Sequence, residues 1–419
     1  MSGQKLKAPR GTFDILGEQS AARVALEARA RALLERAGYE RIETPAFEAT
    51  ELFARGVGES TDIVSKEMFT FQDAGERSLT LRPEGTAPVC RAYIEHGMHK
   101  RRQPVKLWYL SSFFRHERAQ AGRYRQFWQV GAEAIGSDDP AVDAEAITLL
   151  AALLAETGVR EVRLRLSTLG SPERRSEYRE LLQGHLRARE DELSAEVRAR
   201  IELNPLRAFD SDHPGTRRVM ADAPLLLDHL DGEDLDHFAQ VRALLDAAGV
   251  AYEIDPTLVR GLDYYTRTLF EFTSEALGAQ SGVAGGGRYD RLVEQLGGPA
   301  TPGMGWAAGV ERMLLAGEPS PAAPEQVELY VALADHSDVN RRAAFALLHE
   351  ARAAGLAAQI ELAGRSLKGQ LGQAGALGAR FVAIVGEQET ALKDMEAGSQ
   401  QSVPTDAVVH AVLRSHHAL

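Results

Sequence analysis

Apolar positions recur at helical spacing over residues 18–37, where Leu26, Ala30, Leu33, Leu34 and Ala37 share one face. Gly38 follows as a natural C-terminal stop. A short strand is predicted at 41–44, closed by Pro45, which cannot donate to a central ladder. Residues 67–71 and 78–81 read as further short strands around a turn at 73–75. The stretch 105–115 is rich in β-branched and aromatic residues, and 127–135 reads as its return strand. Between them lies a polar loop, 117–126, containing Gly122. Ordinary hairpin loops are short, so a long charged one points to function.

Further along, 141–156 is predicted as a helix and 162–166 as a strand. Arg- and Glu-rich helical patterns fill 172–248, broken at Asn204-Pro205 and His213-Pro214-Gly215. Strands resume at 252–254 and 266–273. A glycine-rich turn is expected at 282–287, a helix at 289–296, then a strand at 302–308 running into a helix at 309–315. The run GEPSPAAP from 317 has linker composition. Beyond it, apolar strands at 328–333 and 380–385 alternate with helical stretches at 340–354 and 367–377, which predicts a small, partly parallel α/β unit. The expected domains are a first core part at 1–168, a helical insertion at 169–251, a second core part at 252–318, a linker at 319–326 and a C-terminal domain at 327–419.

Composition narrows the class. The 419 residues are 44% hydrophobic and 26% charged, ordinary globular values. No apolar run approaches the roughly 20 residues of a membrane span, and the first residues have no apolar signal-like core. The single cysteine, Cys90, excludes an internal disulfide and a Cys-based zinc site, so a reducing cytoplasm is expected. The net charge of −12 argues mildly against a nucleic-acid binder unless basic groups cluster locally.

They do cluster. Arg115, Arg118, Arg123 and Arg125 lie on or beside the hairpin loop, and a guanidinium fork matches phosphate oxygens. Phe113, Phe114, Phe127 and Trp128 flank that loop, so Arg115 needs an anionic partner: a glutamate of the chain or a ligand phosphate. On the return strand, Phe127, Gln129, Gly131 and Glu133 share a face. Gly131 there leaves room for a ligand near the backbone, and Glu133 is placed to read a donor such as an imidazole N–H. In Arg82-Pro83-Glu84-Gly85-Thr86, Glu84 is a candidate acceptor for an ammonium and Thr86 a hydroxyl partner or a helix cap. Arg260 to Tyr265 forms a polar-aromatic cluster. Gly285-Gly286-Gly287 before Arg288 permits close approach of backbone to a flat or phosphate ligand. Neither phosphate-binding glycine motif of the common nucleotide folds is present. His96 and His99 lack a third ligand, and Cys90 lacks a catalytic signature.

Taken in order, these segments resemble the class II aminoacyl-tRNA synthetases, and among them the histidyl-tRNA synthetase family. The helix–strand–Pro45 unit resembles motif 1, FRHERAQAGRYRQFWQVGAEAIG (114–136) motif 2 and GMGWAAGVER (303–312) motif 3. LVRGLDYYT (258–266) and AGGGRYD (284–290) resemble the histidine-specific signatures, and RGTFD (10–14) and RPEGTAP (82–88) also fit. Arg291 departs from the small residue expected after AGGGRYD. The resemblance implies an α+β fold: an antiparallel catalytic sheet of six or seven strands with flanking helices, a helical insertion and a C-terminal α/β anticodon-binding domain. It implies a cytoplasmic homodimer assembled largely through motif 1. Its substrates would be L-histidine, ATP with Mg2+, and tRNA(His), with no zinc, haem or flavin. By resemblance, Arg115 and Arg260 act at the α-phosphate and Arg312 at the γ-phosphate. Glu84, Thr86 and Gln129 would hold the amino end of histidine, and Glu133, Tyr264 and Tyr265 its imidazole. The glycines near Arg288 would floor the pocket. Arg118, Gln120 and Arg123 would face the tRNA acceptor end. The rival reading is a histidine-responsive regulatory subunit of ATP phosphoribosyltransferase, which resembles the catalytic domain alone and has no need of Arg260 or of a domain past the linker. A structural RNA-binding protein would leave the pocket residues unexplained.

Overall fold

The structure is a computed structural model and describes residues 5–58, 61–117, 120, 122–278, 281–318 and 327–416. The chain divides into two compact units, Met1–Ser320 and Pro321–Leu419.

In the first unit the strands are β1 (Glu40–Arg41), β2 (Phe47–Ala49), β3 (Phe69–Gln72), β4 (Ser78–Leu81), β5 (Val105–Phe114), β6 (Gln126–Ile135), β7 (Val162–Thr168), β8 (Glu253–Ile254), β9 (Thr266–Ser274), β10 (Gly282–Arg288) and β11 (Gly303–Gly309). The helices are α1 (Gly17–Arg36), α2 (Thr50–Val57), α3 (Thr86–Glu95), α4 (Pro140–Glu156), α5 (Pro172–Arg187), α6 (Ala195–Arg200), α7 (Pro214–Ala221), α8 (Gly232–Ala247), α9 (Leu292–Gln295) and α10 (Val310–Ala316).

One sheet runs in the order β1-β5-β6-β11-β10-β9-β7-β8. Its six inner strands are antiparallel, and the two-residue edge strands β1 and β8 pair in parallel. The β5–β6 hairpin runs from Val105 opposite Ile135 to Phe114 opposite Gln126. Alternation sends Trp108, Val130, Ala132, Phe270 and Trp306 to the face covered by α1, α4, α8 and α10. Leu107, Tyr109, Leu269 and Tyr289 point to the other face, toward α3 and the helices α5–α7. A small second sheet, β2-β4-β3, lies beside α2.

Several elements differ from the pattern-based expectation. The expected turn at 282–287 is the central strand β10. Its glycines serve close approach: a Cβ on Gly286 would stand 2.1 Å from the Gly305 carbonyl oxygen, and one on Gly287 2.6 Å from that of Thr268. The expected strand at 41–44 is reduced to Glu40–Arg41, and pairing resumes past Pro45 as β2. The stretch 63–67 coils as a π-helix, which delays the following strand to Phe69. The helix expected at 289–296 is only Leu292–Gln295, because Tyr289 is still bonded to the neighbouring strand through Gly303 (2.8 Å). Arg291 sits at its N-cap position.

The second unit contains β12 (Leu329–Leu333), α11 (Asp338–Ala353), β13 (Ala358–Ile360), α12 (Leu367–Ala376), β14 (Phe381–Val385), β15 (Thr390–Asp394), β16 (Gln400–Val403) and α13 (Val408–His416). Its sheet order is β13-β12-β14-β15-β16, parallel across the first three strands and antiparallel beyond. The short, partly exposed strands β13, β15 and β16 lack the apolar runs that marked β12 and β14.

Candidate active site

Glu133 stands in the middle of the sheet, fully buried. Thr86 Oγ1 donates to its Oε1 at 2.8 Å, Tyr289 Oη to its Oε2 at 2.7 Å, and Tyr109 Oη reaches Oε1 at 3.5 Å. Directly opposite on β11 is Gly305, where a Cβ would fall 1.7 Å from Glu133 Oε2, so only glycine admits this carboxyl. Burial pushes the Glu133 carboxyl up to about 8, against the downward pull of the hydroxyls.

Glu84 lies just before α3 and is also buried. Its carboxyl accepts the Thr86 N–H (2.7 Å) and the Ala87 N–H (3.0 Å), two donors of the first helical turn, and Tyr264 Oη at 3.4 Å. Burial raises its pKa, and the backbone N–H groups oppose the shift. Thr86 therefore touches both acids. Tyr109 fills the space beside Gly85 and Gly131: a Cβ at these glycines would stand 2.4 and 2.2 Å from its ring. The room expected at Gly131 for a ligand is thus occupied by a phenol, because Gly131 and Tyr109 are cross-strand partners.

Beside this nest opens a cavity of about 630 Å³, lined by Arg115, Gln129, Arg260 and Arg312 among others. Arg115 Nε donates to the Pro83 carbonyl at 2.9 Å, and its guanidinium lies 5.3 Å from the centre of the Phe127 ring. Arg115 is thus bonded to the residue that precedes Glu84 in the chain, while Gln129 and Glu133 lie on one side of β6. The Gln129 Oε1 is buried without a hydrogen-bond partner, an acceptor suited to an ammonium donor. Arg312 rises from the first turn of α10, with Nε donating to the Gly282 carbonyl. Burial lowers its pKa, and Arg123 adds to the shift. Arg260 pairs with Glu271 of β9.

The structure thus brings Arg115, Gln129, Arg260, Arg312 and Arg123 to one cavity, and Glu84, Thr86, Glu133 and Tyr264 to the adjoining nest. Tyr265 stacks edge-on against Tyr264 at 4.9 Å and packs beside Gly287. Gln120 pairs with Arg123 in an isolated bridge and does not line the cavity. Arg118 lies outside the described residues. Gly285 lines the cavity, but Arg288, next to the glycine run, points to the opposite face. There it is fully buried against Asp143 of α4, with Nε–Oδ1 at 3.0 Å and Nη2–Oδ2 at 2.6 Å. It is a structural ion pair and no ligand group. Sequence reasoning missed Tyr109, Tyr289 and Glu271. Tyr289 sits inside the AGGGRYD segment, but nothing local signals that its hydroxyl meets Glu133, 156 residues away. Among the described residues no group of three or more His, Cys, Asp or Glu is placed to hold a metal ion, and no helix is long and apolar enough to cross a membrane. Burial pushes the Cys90 thiol well up.

A six-stranded antiparallel core that offers an arginine-lined cavity on one face, with a motif 2 hairpin and a motif 3 strand–helix at its sides, defines a class II aminoacyl-tRNA synthetase. The family profile described as histidyl-tRNA synthetase matches residues 11–313, and one described as an anticodon binding domain matches 330–415. The chain is 45% identical over 415 residues to a histidine–tRNA ligase of Thermosynechococcus vestitus, covering 98% of this chain and 97% of that one. It is 48% identical over 416 residues to the histidine–tRNA ligase of Nocardia farcinica, covering 97% of each. The crystal structure of apo S. aureus histidyl-tRNA synthetase superposes with a TM-score of 0.81 at 36% identity, covering 97% of this chain and all of that one. The chain belongs to the histidyl-tRNA synthetase family.

Proposed function

We propose a division of labour for the activity that family membership carries, the ATP-dependent activation of L-histidine and its transfer to tRNA(His). In the first step a histidine carboxylate oxygen attacks the α-phosphorus of ATP and pyrophosphate leaves. Arg115 and Arg260 neutralise charge at the α-phosphate and Arg312 binds the γ-phosphate. Transfer at phosphorus is served mostly by positioning and fixed positive charge. Mg2+ enters with ATP as part of the substrate. Glu84, Thr86 and Gln129 hold the ammonium. Glu133, with Tyr264 and Tyr265, reads the imidazole, and Tyr109 and Tyr289 hold Glu133 in place. In the second step the terminal ribose hydroxyl of tRNA attacks the activated carbonyl and AMP leaves.

The observation that carries this reading is the convergence of Arg115, Arg260 and Arg312, from three separate segments, on one cavity beside two buried carboxyls. Arg118, Gln120 and Arg123 meet the acceptor end, and the domain from 327 onward binds the anticodon. The enzyme works in the cytoplasm as a homodimer. An exposed apolar pair on the small sheet next to motif 1 supports such an interface: Phe47 and Phe71 are 51% and 41% exposed with ring centres 6.2 Å apart. Histidine-dependent ATP–pyrophosphate exchange tests the activation step, and charging of tRNA(His) tests the transfer. Exchange that does not depend on histidine would sink the assignment, and sedimentation velocity decides the dimer.

A further inference from the structure

The segment that carries Arg260, between β8 and β9, has no regular secondary structure, so its own backbone does not aim the side chain. The sheet does. Glu271 on β9 lies directly opposite Arg165 on β7 and directly opposite Gly285 on β10. Opposed positions share a face. Gly285 contributes no side chain, and the Arg260 guanidinium takes that place: a Cβ on Gly285 would stand 2.7 Å from Nη2 and 2.9 Å from Cζ. Across three strands the row therefore reads Arg165, Glu271, Arg260. Glu271 Oε1 accepts from Arg260 Nη1, and its Oε2 accepts from Arg165 Nη1 at 3.1 Å. Arg165 Nε donates to Asp255 Oδ2 at 2.6 Å. Asp255 is the root of the very loop whose middle is Arg260, and its N–H is tied to the Leu166 carbonyl at 2.9 Å. The ring closes: strand, strand, loop root, loop centre.

We infer that Glu271 is the positioning residue of Arg260 and that Gly285 is kept bare as the seat of its guanidinium. The inference rests on the proposed role of Arg260 at the α-phosphate. A long flexible side chain must be ordered before it helps a transition state, and a carboxylate on a central strand supplies that order in advance. Because Glu271 is shared between two guanidiniums, it anchors Arg260 without cancelling its charge alone.

The test uses the full chain and follows single-turnover histidyl-adenylate formation, the KM for histidine and a thermal melt. The variants are Arg260→Ala, Glu271→Ala, Glu271→Gln, Gly285→Ala and the Arg260→Ala/Glu271→Ala double. Glu271→Ala is expected to slow adenylate formation by about 10²-fold, as misplacement of a catalytic group does, with the KM for histidine nearly unchanged. Glu271→Gln keeps an acceptor at that place and recovers part of the rate. The double variant is no slower than Arg260→Ala alone, since the two act as a unit. Gly285→Ala fills the seat with the ring residues intact and reproduces the defect, which decides the matter should Glu271→Ala not fold. A wild-type rate in Glu271→Ala or Gly285→Ala beside a slow Arg260→Ala overturns the inference, as do losses that multiply in the double variant. A wild-type rate in Arg260→Ala defeats the parent reading and this inference with it.

Discussion

Thr86 Oγ1 donates to Glu133 Oε1 across 2.8 Å, joining the first residue of α3 to the centre of the sheet. The same Thr86 gives its N–H to Glu84, so one residue spaces two buried acids. Substitutions in this nest should be felt first as lost histidine recognition.

Glu133→Ala leaves three hydroxyls without their acceptor. A site built to hydrogen-bond a polar substrate loses discrimination steeply when one partner goes, by up to about 10⁴-fold. The kcat/KM for histidine in pyrophosphate exchange should fall by orders of magnitude, and unchanged activation would remove Glu133 from recognition.

Protonation of Glu133 carries a signature of its own. Burial pushes its carboxyl up to about 8 in the folded chain, from an ordinary value of 4.5. Between those values the folded state binds more protons than the unfolded one, so stability contributed here falls as pH rises and is lost above about 8. The stability of the wild type relative to Glu133→Gln, measured by urea unfolding at pH 6 and pH 8, should decrease with pH. A wild-type stability that rises relative to Glu133→Gln between pH 6 and pH 8 would contradict the buried, proton-holding carboxyl.

For Arg260→Ala, loss of one preorganised donor predicts adenylate formation slower by about 10²–10³-fold, with histidine affinity little changed. Rapid-quench measurement at saturating ATP reads this directly, and near-wild-type turnover would exclude Arg260 from the chemistry.

The Arg288–Asp143 pair is fully buried. Asp143→Ala removes the main partner of a buried guanidinium, which keeps Asp290 Oδ1 at 3.2 Å; breaking a buried pair typically costs about 3–5 kcal/mol, and Asp290 holds the loss toward the lower end. Chemical denaturation should show a loss of that order. A loss under about 1 kcal/mol would mean that Asp290 alone compensates the charge or that water reaches Arg288.

Ending the chain at Ala323 keeps Glu84, Arg115, Glu133, Arg260 and Arg312. This shortened chain should still exchange pyrophosphate with histidine, while the KM for tRNA rises because a second linked contact is lost. Charging equal to the full chain, from a truncated protein checked for oligomeric state, would require another role for the second unit.

What the sequence by itself determined follows from local periodicity. The helix at 17–36, the long β5–β6 hairpin and the shared face of Gln129 and Glu133 depend on spacings of two or 3.6 residues, which are visible along the chain. Arg115, Arg260 and Arg312 were legible from motif resemblance, each inside its own segment. Tertiary structure alone decided what occupies the space between segments. Gly282–Arg288 has the composition of a turn, yet it is a central strand, in which the neighbouring carbonyls leave no room for a side chain at Gly286 or Gly287. Tyr109 fills the gap at Gly131, Arg288 turns away to Asp143, and Tyr289 reaches Glu133. Glu271 meets Arg260 only once β9 and β10 are in register. Such pairings are settled by strand register and packing volume, quantities that arise only when distant segments share one core.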